Sequence, residues 1–425
     1  MREYKQYEDY IAFQSKKTLD PEKRKKWLGE EWRTKIDGFK KEFKKLDQFI
    51  TPEKNCLCLG ARTGQEVVAL KEIGLTKVIG IDIVPHEPHV IKGDIHNLDF
   101  EDNTFDFVYT NILDHSINPQ KMIQEVERVL KVGGIFFLQI QLGLDQDEYT
   151  EFRIKSPVHD IVTLFNMSYC LTVRTINSDI NTRNFAGMNV ELLFRKDQVL
   201  TSMYHDYGNL KTISVPDKYA RLWNQINLPI QLKKLDATGI TDPELRSNIL
   251  NNLSKRAYYL TTIAKAYQCS KICEVGTAEG WQFFSFCEYI KKDAPEGIVV
   301  SCDPRDVRDI NAAREYEEYY KYIQGTSLDI KNSKELGEFD MFYIDGLHDK
   351  NTVLQDVFNL SEKQTREKEP VWVFDDFDVR FGCFEDIGNI LESSSGFKVW
   401  HVGLTASGQP SHQAMIKNRL TFNES

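Results

Sequence analysis

The fold is indicated by residues 55–82, NCLCLGARTGQEVVALKEIGLTKVIGID. An apolar run meets a glycine loop, a segment with helical spacing of apolar residues follows, and a second apolar run ends in Asp82. Strand, helix and strand repeated in this way, with nearly continuous apolar strands, predict a parallel sheet that helices cover on both faces. Similar runs continue to residue 194 and complete one α/β domain.

A second stretch, residues 271–303, repeats this plan with different residues. KICEVGTAEGWQFF contains another glycine loop, and the apolar run that follows ends in Asp303. Four more strand-like runs extend to residue 417, so the chain reads as two α/β domains of similar plan. The predicted boundaries are a first domain with a helical N-terminal extension at 1–198, a linker at 199–240 and a second domain at 241–425.

Length and composition suit folded domains. The 425 residues are 41% hydrophobic and 12% aromatic, which excludes general disorder. The 54 basic and 64 acidic residues give a net charge of −10, which disfavours nucleic acid as a partner because phosphate binding needs basic excess. No apolar run approaches the roughly 18 to 20 residues of a membrane span, and the first residues lack a signal-peptide pattern. We therefore expect a cytoplasmic protein without membrane insertion.

The eight cysteines are scattered and form no Cys-x-x-Cys pair. Several of them fall in apolar runs. We predict small buried hydrophobic side chains in a reducing compartment, and neither a zinc site nor a disulfide framework.

Each glycine loop is a candidate cofactor site, because ligands of an open parallel sheet bind beyond the carboxyl ends of the strands. Glycine lets the backbone approach a ligand, and an acid about twenty residues further on can accept both ribose hydroxyls. Neither loop has the dinucleotide fingerprint or the phosphate-binding Gly-Lys-Ser/Thr, which leaves an adenosine-type ligand without phosphates. The candidate residues are Gly60, Gly64 and Asp82 in the first domain and Gly276, Gly280 and Asp303 in the second.

The first domain resembles class I S-adenosylmethionine-dependent methyltransferases over most of residues 55–140. The resemblance is carried by LCLGARTGQEV, VIGIDIVP, KGDIHNLDFEDNTFDFVYTN and EVERVLKVGGIFFLQI. It implies a Rossmann-like, mostly parallel seven-stranded sheet in each domain and S-adenosyl-L-methionine as the cofactor. The residues implied to contact the cofactor are Gly60, Gly64 and Asp82, with Asp94 near the adenine and Asn111 at the end of the fourth strand.

The first loop departs from the family pattern at two positions. Leu59 stands where an acid usually begins the loop, and Arg62 stands where a small residue is common. Arg62 is therefore a further candidate for cofactor binding, through the methionine carboxylate. Capping of the loop is an equally open interpretation of this residue.

The second domain resembles metal-dependent sugar and natural-product O-methyltransferases, the macrocin methyltransferase and cephalosporin hydroxylase-like group, over residues 271–376. The matching stretches are KICEVGTAEGWQFF, VVSCDP, FDMFYIDGLHDKNTVLQDV and PVWVFDD. The cofactor positions that this resemblance implies are Glu274, Gly276, Gly280 and Asp303.

A metal site is predicted at the edge of the second sheet. A sugar hydroxyl is weakly acidic, so its methylation needs a general base or a Lewis acid at neutral pH. Asp345 ends the fourth predicted strand and Asp375 and Asp376 end the fifth, and three converging carboxylates repel one another unless a divalent cation neutralises them. Oxygen ligands suit magnesium or manganese. We predict Asp345, Asp375 and Asp376 as metal ligands, and Asp345 and His348 as catalytic residues, with His348 as the proton acceptor.

Purely structural roles are alternative interpretations of these residues. A loop histidine is often a hydrogen-bonded surface group, and Asp-Asp before a helix can act as a cap. In the first domain, Asp114 and His115 could supply a base or form a structural turn. A predicted helix of tyrosines beside the second site could stack on a sugar ring or pack internally: Tyr316, Tyr319, Tyr320 and Tyr322.

These observations predict a bifunctional methyltransferase. The second domain would O-methylate a sugar or a sugar-containing metabolite with metal assistance, and the first would act on its own acceptor. In one alternative only one domain is catalytic and the other binds cofactor or serves as a scaffold. In another the chain is a non-catalytic binding protein, since fold alone does not decide function. The expected partner is a small-molecule or saccharide acceptor, and a homo-oligomer is compatible with the sequence.

Overall fold

The structure is a computed structural model that describes residues 2–143, 148–207 and 214–421. It divides into two compact units, Met1–Thr201 and Ser202–Ser425. The division therefore falls inside the segment that the sequence analysis assigned to a linker.

Unit 1 begins with three helices and continues as alternating strands and helices. Unit 1 also contains short helical turns of the 3-10 or π type at Leu113–His115, Pro157–Ile161 and Val162–Leu164. The longer elements are α1 (Tyr7–Leu19), α2 (Pro21–Leu28), α3 (Trp32–Lys44), β1 (Asn55–Leu59), α4 (Gln65–Glu72), β2 (Lys77–Asp82), β3 (Val90–Lys92), β4 (Phe105–Thr110), α5 (Pro119–Val129), β5 (Leu130–Ile140), β6 (Ser168–Thr175) and β7 (Val190–Lys196), followed by α6 (Gln198–Tyr207).

The strands of unit 1 form a sheet in the order β3-β2-β1-β4-β5-β7-β6. Strands β1 to β5 pair in parallel, whereas β7 runs antiparallel to both β5 and β6. Leu59 at the end of β1 is in register with Ile81 and Thr110 near the ends of the neighbouring strands. The first glycine loop therefore leaves the sheet at the carboxyl edge, between β2 and β4.

Helix α3 packs on one face of this sheet. Its buried residues Ile36, Phe39 and Phe43 belong to one apolar cluster with alternate residues of the strands, and Phe43 lies 5.1 Å from Tyr109 between ring centroids. On β5 the neighbouring Phe136 points the other way and lies 5.9 Å from another buried ring, Phe165. Both faces of the sheet are thus covered, as the continuous apolar strands predict.

Unit 2 has the same sheet plan, in the order β10-β9-β8-β11-β12-β14-β13, with β14 antiparallel to β12 and β13. Its elements are α7 (Asp217–Leu222), α8 (Leu228–Ala237), α9 (Pro243–Ala266), β8 (Lys271–Val275), α10 (Trp281–Asp293), β9 (Ile298–Asp303), α11 (Ile310–Glu315), β10 (Tyr320–Gln324), α12 (Ser327–Asn332), β11 (Met341–Ile344), α13 (Thr352–Ser361), β12 (Val371–Phe374), α14 (Cys383–Glu392), β13 (Phe397–Leu404) and β14 (Pro410–Lys417).

The segment predicted as a linker carries helices instead. Tyr219, Leu222, Trp223 and Ile226 recur at helical spacing and are buried. The ring of Trp223 lies 4.9 Å from that of Trp281 at the start of α10. The apolar face of this segment is therefore part of the core of unit 2, which a free linker would leave in water.

Two further expectations concern the whole chain. All eight cysteines are unpaired and buried, as predicted. Among the described residues, no helix combines the length and the apolar character that a membrane span requires.

Candidate functional site

The glycine loops lie where each first strand meets its helix, and their backbone needs glycine. Gly60 and Gly276 have φ angles of +68° and +94°, which L-residues with a side chain rarely adopt. A Cβ atom on Gly276 would lie 1.9 Å from the carbonyl oxygen of Asp345. The second loop therefore contacts the end of β11, where the predicted metal ligands begin.

The acid that ends the second strand of each unit, Asp82 or Asp303, accepts a hydrogen bond from the backbone of the glycine loop. Asp82 accepts hydrogen bonds from the amides of Arg62 at 3.0 Å and Val84 at 2.9 Å. Asp303 accepts equivalent bonds from the amides of Ala278 at 3.0 Å and Arg305 at 2.9 Å. Both acids are 8% exposed, and burial raises the pKa of Asp82. Each carboxylate oxygen can accept further bonds, so both acids remain suited to ribose hydroxyls.

The guanidinium of Arg62 lies over the ring of Trp27, 4.4 Å from the ring centroid. The amide of Arg62 anchors the loop to Asp82. Arg62 also lines a cavity of about 180 Å³ together with Gly60 and Asn111. Arg62 is therefore placed to meet a ligand in unit 1, at a cation–π contact that orients the side chain.

The predicted adenine neighbour Asp94 lies beside a second cavity of about 60 Å³, which Gly60, Arg62 and Asp82 also line. Asp94 accepts hydrogen bonds from the hydroxyl of Tyr7 and from the amide of His96, both at 2.8 Å. Burial raises the pKa of Asp94, but hydrogen bonds with the side chain and amide of His96 and with Tyr7 outweigh it and leave the pKa below its usual range. Tyr7 was missed in the sequence because no motif links helix α1 to β3.

The alternative base of unit 1, His115, is fully engaged. Its Nδ1 lies 2.9 Å from the carbonyl oxygen of Tyr149, and its Nε2 lies 3.3 Å from Nζ of Lys17. A ring that donates through Nδ1 and faces an ammonium through Nε2 has no free nitrogen for an acceptor proton. The structure thus favours the structural turn over the base for Asp114 and His115.

In unit 2, Glu274 lies on β8 two residues before the loop glycine and is 1% exposed. Its Oε2 accepts a hydrogen bond of 2.7 Å from Ser301, whereas Oε1 is buried and without a partner among the described residues. Burial raises the pKa of Glu274 to about 8. An orphaned carboxyl oxygen beside the glycine loop points to a missing donor.

Three of the predicted catalytic and metal-binding residues come together at the carboxyl edge of the second sheet. One ligand atom each from Asp345, His348 and Asp376 lies within 4.8 Å of the others. His348 Nδ1 is 3.3 Å from Asp376 Oδ2, and the His348 carbonyl accepts a hydrogen bond of 3.0 Å from the amide of Cys383. The loop after β11 and the loop after β12 are thereby held together.

Asp375, predicted as the third ligand, is not part of this group. Its oxygens bind Arg256 at 2.6 Å, the hydroxyl of Tyr343 at 3.0 Å and Gln413 at 3.1 Å. With 3% exposure, Asp375 is a buried ion-pair partner, and His348 takes its place in the group. Arg256, on α9, was missed because a single arginine on a long helix gives no sequence signal.

The electrostatics of the group suit a cation. Burial raises the pKa of Asp345 well above its usual range, and the negative charges of Asp375 and Asp376 raise it further. Burial and the neighbouring Asp375 raise the pKa of Asp376 to about 6. One arginine does not offset three acids, so the residues present fit a hard divalent cation at Asp345 and Asp376.

The tyrosines beside the second site do not form a helix. Residues 320–324 form strand β10, a short turn precedes it, and Tyr316 caps the end of α11. Tyr316 is fully buried and donates a hydrogen bond to Glu288, and Tyr322 donates to the carbonyl oxygens of Asp303 and Arg305. For these two tyrosines the structure supports internal packing, one of the two open interpretations.

Comparison with known families finds one match in each unit. Residues 57–138 match one family model described as a methyltransferase domain, and residues 273–377 match another with the same description. Each unit thus contains a segment that is similar to methyltransferase domains. The two sheets confirm the predicted α/β fold class.

Two curated relatives each match about a fifth of this chain. An uncharacterized methyltransferase of Synechocystis is 34% identical over an alignment of 102 positions, with 21% of this chain and 48% of the relative covered. A sterol 4-C-methyltransferase of Caenorhabditis elegans is 29% identical over an alignment of 106 positions, with 21% of this chain and 31% of the relative covered. The chain thus spans half or less of the length of the curated relatives it matches.

Among solved structures, the O-methyltransferase TomG from Streptomyces achromogenes is similar over 51% of this chain and 96% of its own, with 13% identity and a TM-score of 0.35. An O-methyltransferase described from Klebsiella pneumoniae covers 45% of this chain and 96% of its own, with 16% identity and a TM-score of 0.32.

Proposed function

We propose that the chain is a bifunctional S-adenosylmethionine-dependent methyltransferase. Unit 2 would transfer a methyl group to a hydroxyl of a sugar or of a sugar-containing metabolite with the help of a divalent metal, and unit 1 would methylate an acceptor of its own. The proposal rests mainly on the grouping of Asp345, His348 and Asp376 directly beside the glycine loop of unit 2.

The contact between this loop and Asp345 supports methyl transfer at this edge. Transfer from a sulfonium is an in-line displacement, so the acceptor oxygen must be held close to the methyl group. The backbone of Asp345 meets Gly276, and the Asp345 side chain joins the polar group. A cofactor on the loop and an acceptor at the carboxylates would therefore be neighbours.

Asp345 and Asp376 would hold the metal, with magnesium or manganese as the best match for carboxylate ligands. When bound, such a cation lowers the pKa of an acceptor hydroxyl. We assign proton acceptance to Nε2 of His348, because Nδ1 is held 3.3 Å from Asp376 and the other nitrogen remains for the acceptor. This assignment differs from ligation by His348, which would leave the ring unable to accept a proton.

Removal and return of the metal test this proposal. Methyl transfer by unit 2 should stop in excess chelator and return with magnesium or manganese, whereas transfer by unit 1 should be insensitive and serves as the control. Full activity in chelator would mean that the aspartates are capping and solvated charges and that Arg256 is the countercharge of the site.

The role of His348 is separable from metal binding. His348→Ala should slow turnover by roughly 10² to 10⁴ and leave the affinities for manganese and cofactor nearly unchanged, because a general base acts in the transition state. Asp376→Asn should remove both manganese binding and activity. A loss of manganese affinity in His348→Ala would show that the histidine is a ligand instead.

Calorimetric titration with S-adenosylmethionine decides between the bifunctional enzyme and its alternatives. Two binding sites are expected. One site would support a single catalytic unit with a scaffold, and none would overturn the proposal. The saccharide acceptor, a homo-oligomeric assembly and a cytoplasmic location complete the proposal, and the sequence alone supports them.

A further inference from the structure

Glu66 is a buried acid whose carboxyl group has a hydrogen bond from its own backbone amide but no side-chain partner among the described residues. It is the second residue of α4, directly behind the glycine loop, and is 6% exposed. It lines the cavity of about 180 Å³ in unit 1. No side chain among the described residues donates a hydrogen bond to its carboxyl group or forms an ion pair with it, a costly arrangement unless a ligand supplies the donor.

The equivalent helix position in unit 2 is occupied by an uncharged residue. Gln282 is the second residue of α10, and both polar atoms of its amide are buried without partners. The acid of unit 2 comes from the strand instead, at Glu274, two residues before Gly276. In unit 1 the residue two positions before Gly60 is Cys58, fully buried in β1.

The strand register relates the two loops to each other. Cys58 is in register with Tyr109, as Glu274 is with Tyr343, so Cys58 is the counterpart of Glu274. Burial, and after it the charge of Glu66, raises the pKa of both Cys58 and Tyr109. Each unit therefore has one buried acid beside its glycine loop, carried by the helix in unit 1 and by the strand in unit 2.

The chemistry of the cavity indicates what this acid binds. A buried carboxylate without a side-chain partner is matched best by a cationic group with N–H donors, since charge-assisted hydrogen bonds offset its desolvation. Arg62 lines the same cavity and carries the opposite charge. A carboxylate and a guanidinium on one cavity suit the two charges of an α-amino acid.

We propose that Glu66 binds the α-ammonium group of the methionine part of S-adenosylmethionine in unit 1, replacing the strand acid that unit 2 has at Glu274. This assignment rests on the proposed function and adds a specificity residue to it. The register shows that the position without an acid is Cys58, and not Leu59 as the sequence analysis had it. Glu66 compensates for that position within the domain, two residues beyond the loop. Burial also raises the pKa of Glu66 to about 7, against the lowering effects of its own backbone amide and of Arg62.

Two ligands that differ in the amino-acid end test the proposal: S-adenosylmethionine, and 5′-methylthioadenosine, which lacks the ammonium and the carboxylate. The full chain with Gly276→Ala, which is expected to lose cofactor binding in unit 2, confines the measurement to unit 1. In this background Glu66→Gln should weaken S-adenosylmethionine by roughly ten- to a hundred-fold, as expected for loss of a charged hydrogen bond. The affinity for 5′-methylthioadenosine should change less than about twofold.

Glu72→Gln is the matched control, because Glu72 lies on the same helix but pairs at the surface with Arg33 at 2.7 Å. It should leave both affinities unchanged. An equal loss of both ligands in a folded Glu66→Gln chain, or no loss of either, would overturn the assignment of Glu66 while leaving the proposed function intact. Failure of the parent chain to bind either ligand at unit 1 would overturn the proposed function as well.

A rescue experiment tests the replacement itself. Adding Cys58→Glu to Glu66→Gln returns an acid to the strand position and should restore the preference for S-adenosylmethionine over 5′-methylthioadenosine. The melting temperature of each chain shows whether it is folded. A folded double variant without recovery would contradict the equivalence of the two positions, and if that variant does not fold, the ligand preference of Glu66→Gln alone decides.

Discussion

The amide of Arg62 donates a hydrogen bond of 3.0 Å to the carboxylate of Asp82, and the same bond of 3.0 Å joins Ala278 to Asp303 in unit 2. Both donors lie two residues after the first loop glycine and have positive φ angles of 46° and 45°. The acid that is expected to bind ribose thus also fixes the loop that is expected to approach the cofactor. Loop shape and ribose recognition are therefore coupled within each unit.

Substitution of these acids should affect one site each. We expect Asp82→Ala to weaken cofactor binding in unit 1 and Asp303→Ala to weaken it in unit 2. The expected loss is about ten- to a hundred-fold, as for charged hydrogen bonds worth roughly 1.5 to 3 kcal/mol. Calorimetry of each variant measures the two sites in one titration, and the unchanged site is the internal control. Loss of both sites from one substitution would contradict independent domains.

Because Gly276 lies so close to the backbone of Asp345, adding one methyl group at residue 276 should strongly affect unit 2. Gly276→Ala would place Cβ 1.9 Å from the Asp345 carbonyl oxygen at a φ of +94°, so the loop or the end of β11 must move. We expect a loss of roughly 1–3 kcal/mol in the free energy of unfolding of unit 2 and loss of its cofactor binding. Urea unfolding and calorimetry measure these quantities.

Gly388→Ala is the control for that substitution, since Gly388 lies within α14 and nothing lies within 4 Å of an added Cβ. This variant should be neutral or more stable by about 0.5–1 kcal/mol, because alanine is the better helix former. Equal behaviour of the two alanine variants would show that the close approach is unimportant.

The buried pair of Arg256 and Asp375 should matter for stability. Arg256→Met removes the cation and leaves a carboxylate that is 3% exposed, which costs about 3–5 kcal/mol in typical buried pairs. Adding Asp375→Asn should recover part of this loss. Lys350→Met, which breaks the exposed pair with Glu385, should leave urea unfolding of unit 2 nearly unchanged. Similar effects of Arg256→Met and Lys350→Met would contradict the buried network.

The raised pKa of Glu274 predicts that the stability of unit 2 depends on pH. Its pKa is raised to about 8 in the folded chain from an ordinary value of 4.5, so between these values the folded state holds a proton that the unfolded state has lost. The free energy of unfolding of unit 2 should therefore fall as pH rises through this window. Glu274→Gln should make this dependence shallower, since Asp345 and Asp376 also contribute to it, and the exposed Glu317→Gln should leave it unchanged. Melting temperatures from pH 5 to 8.5 measure the difference, and parallel curves for all three chains would refute the prediction.

Much of the fold was accessible from local sequence patterns. The two strand–glycine–helix stretches, the acids Asp82 and Asp303 and the apolar strands predicted two parallel sheets, because such features depend on neighbours along the chain. The same reasoning placed Asp345, His348 and Asp376 near one another, since each follows a parallel strand at the carboxyl edge. Strand β10 was missed because its tyrosines suit a helix face as well as a short strand.

The sequence by itself determined which residues end the strands and which loops need glycine, because turn geometry and hydrophobic periodicity act over a few residues. Only the tertiary structure decided the partners of those residues. Asp375 was predicted as a metal ligand but pairs with Arg256. Helix α9, over a hundred residues earlier in the chain, brings this arginine within 2.6 Å of it. The place of Glu66 was decided in the same way, since packing of α4 on the sheet, and not spacing along the chain, buries this acid beside the cavity of unit 1.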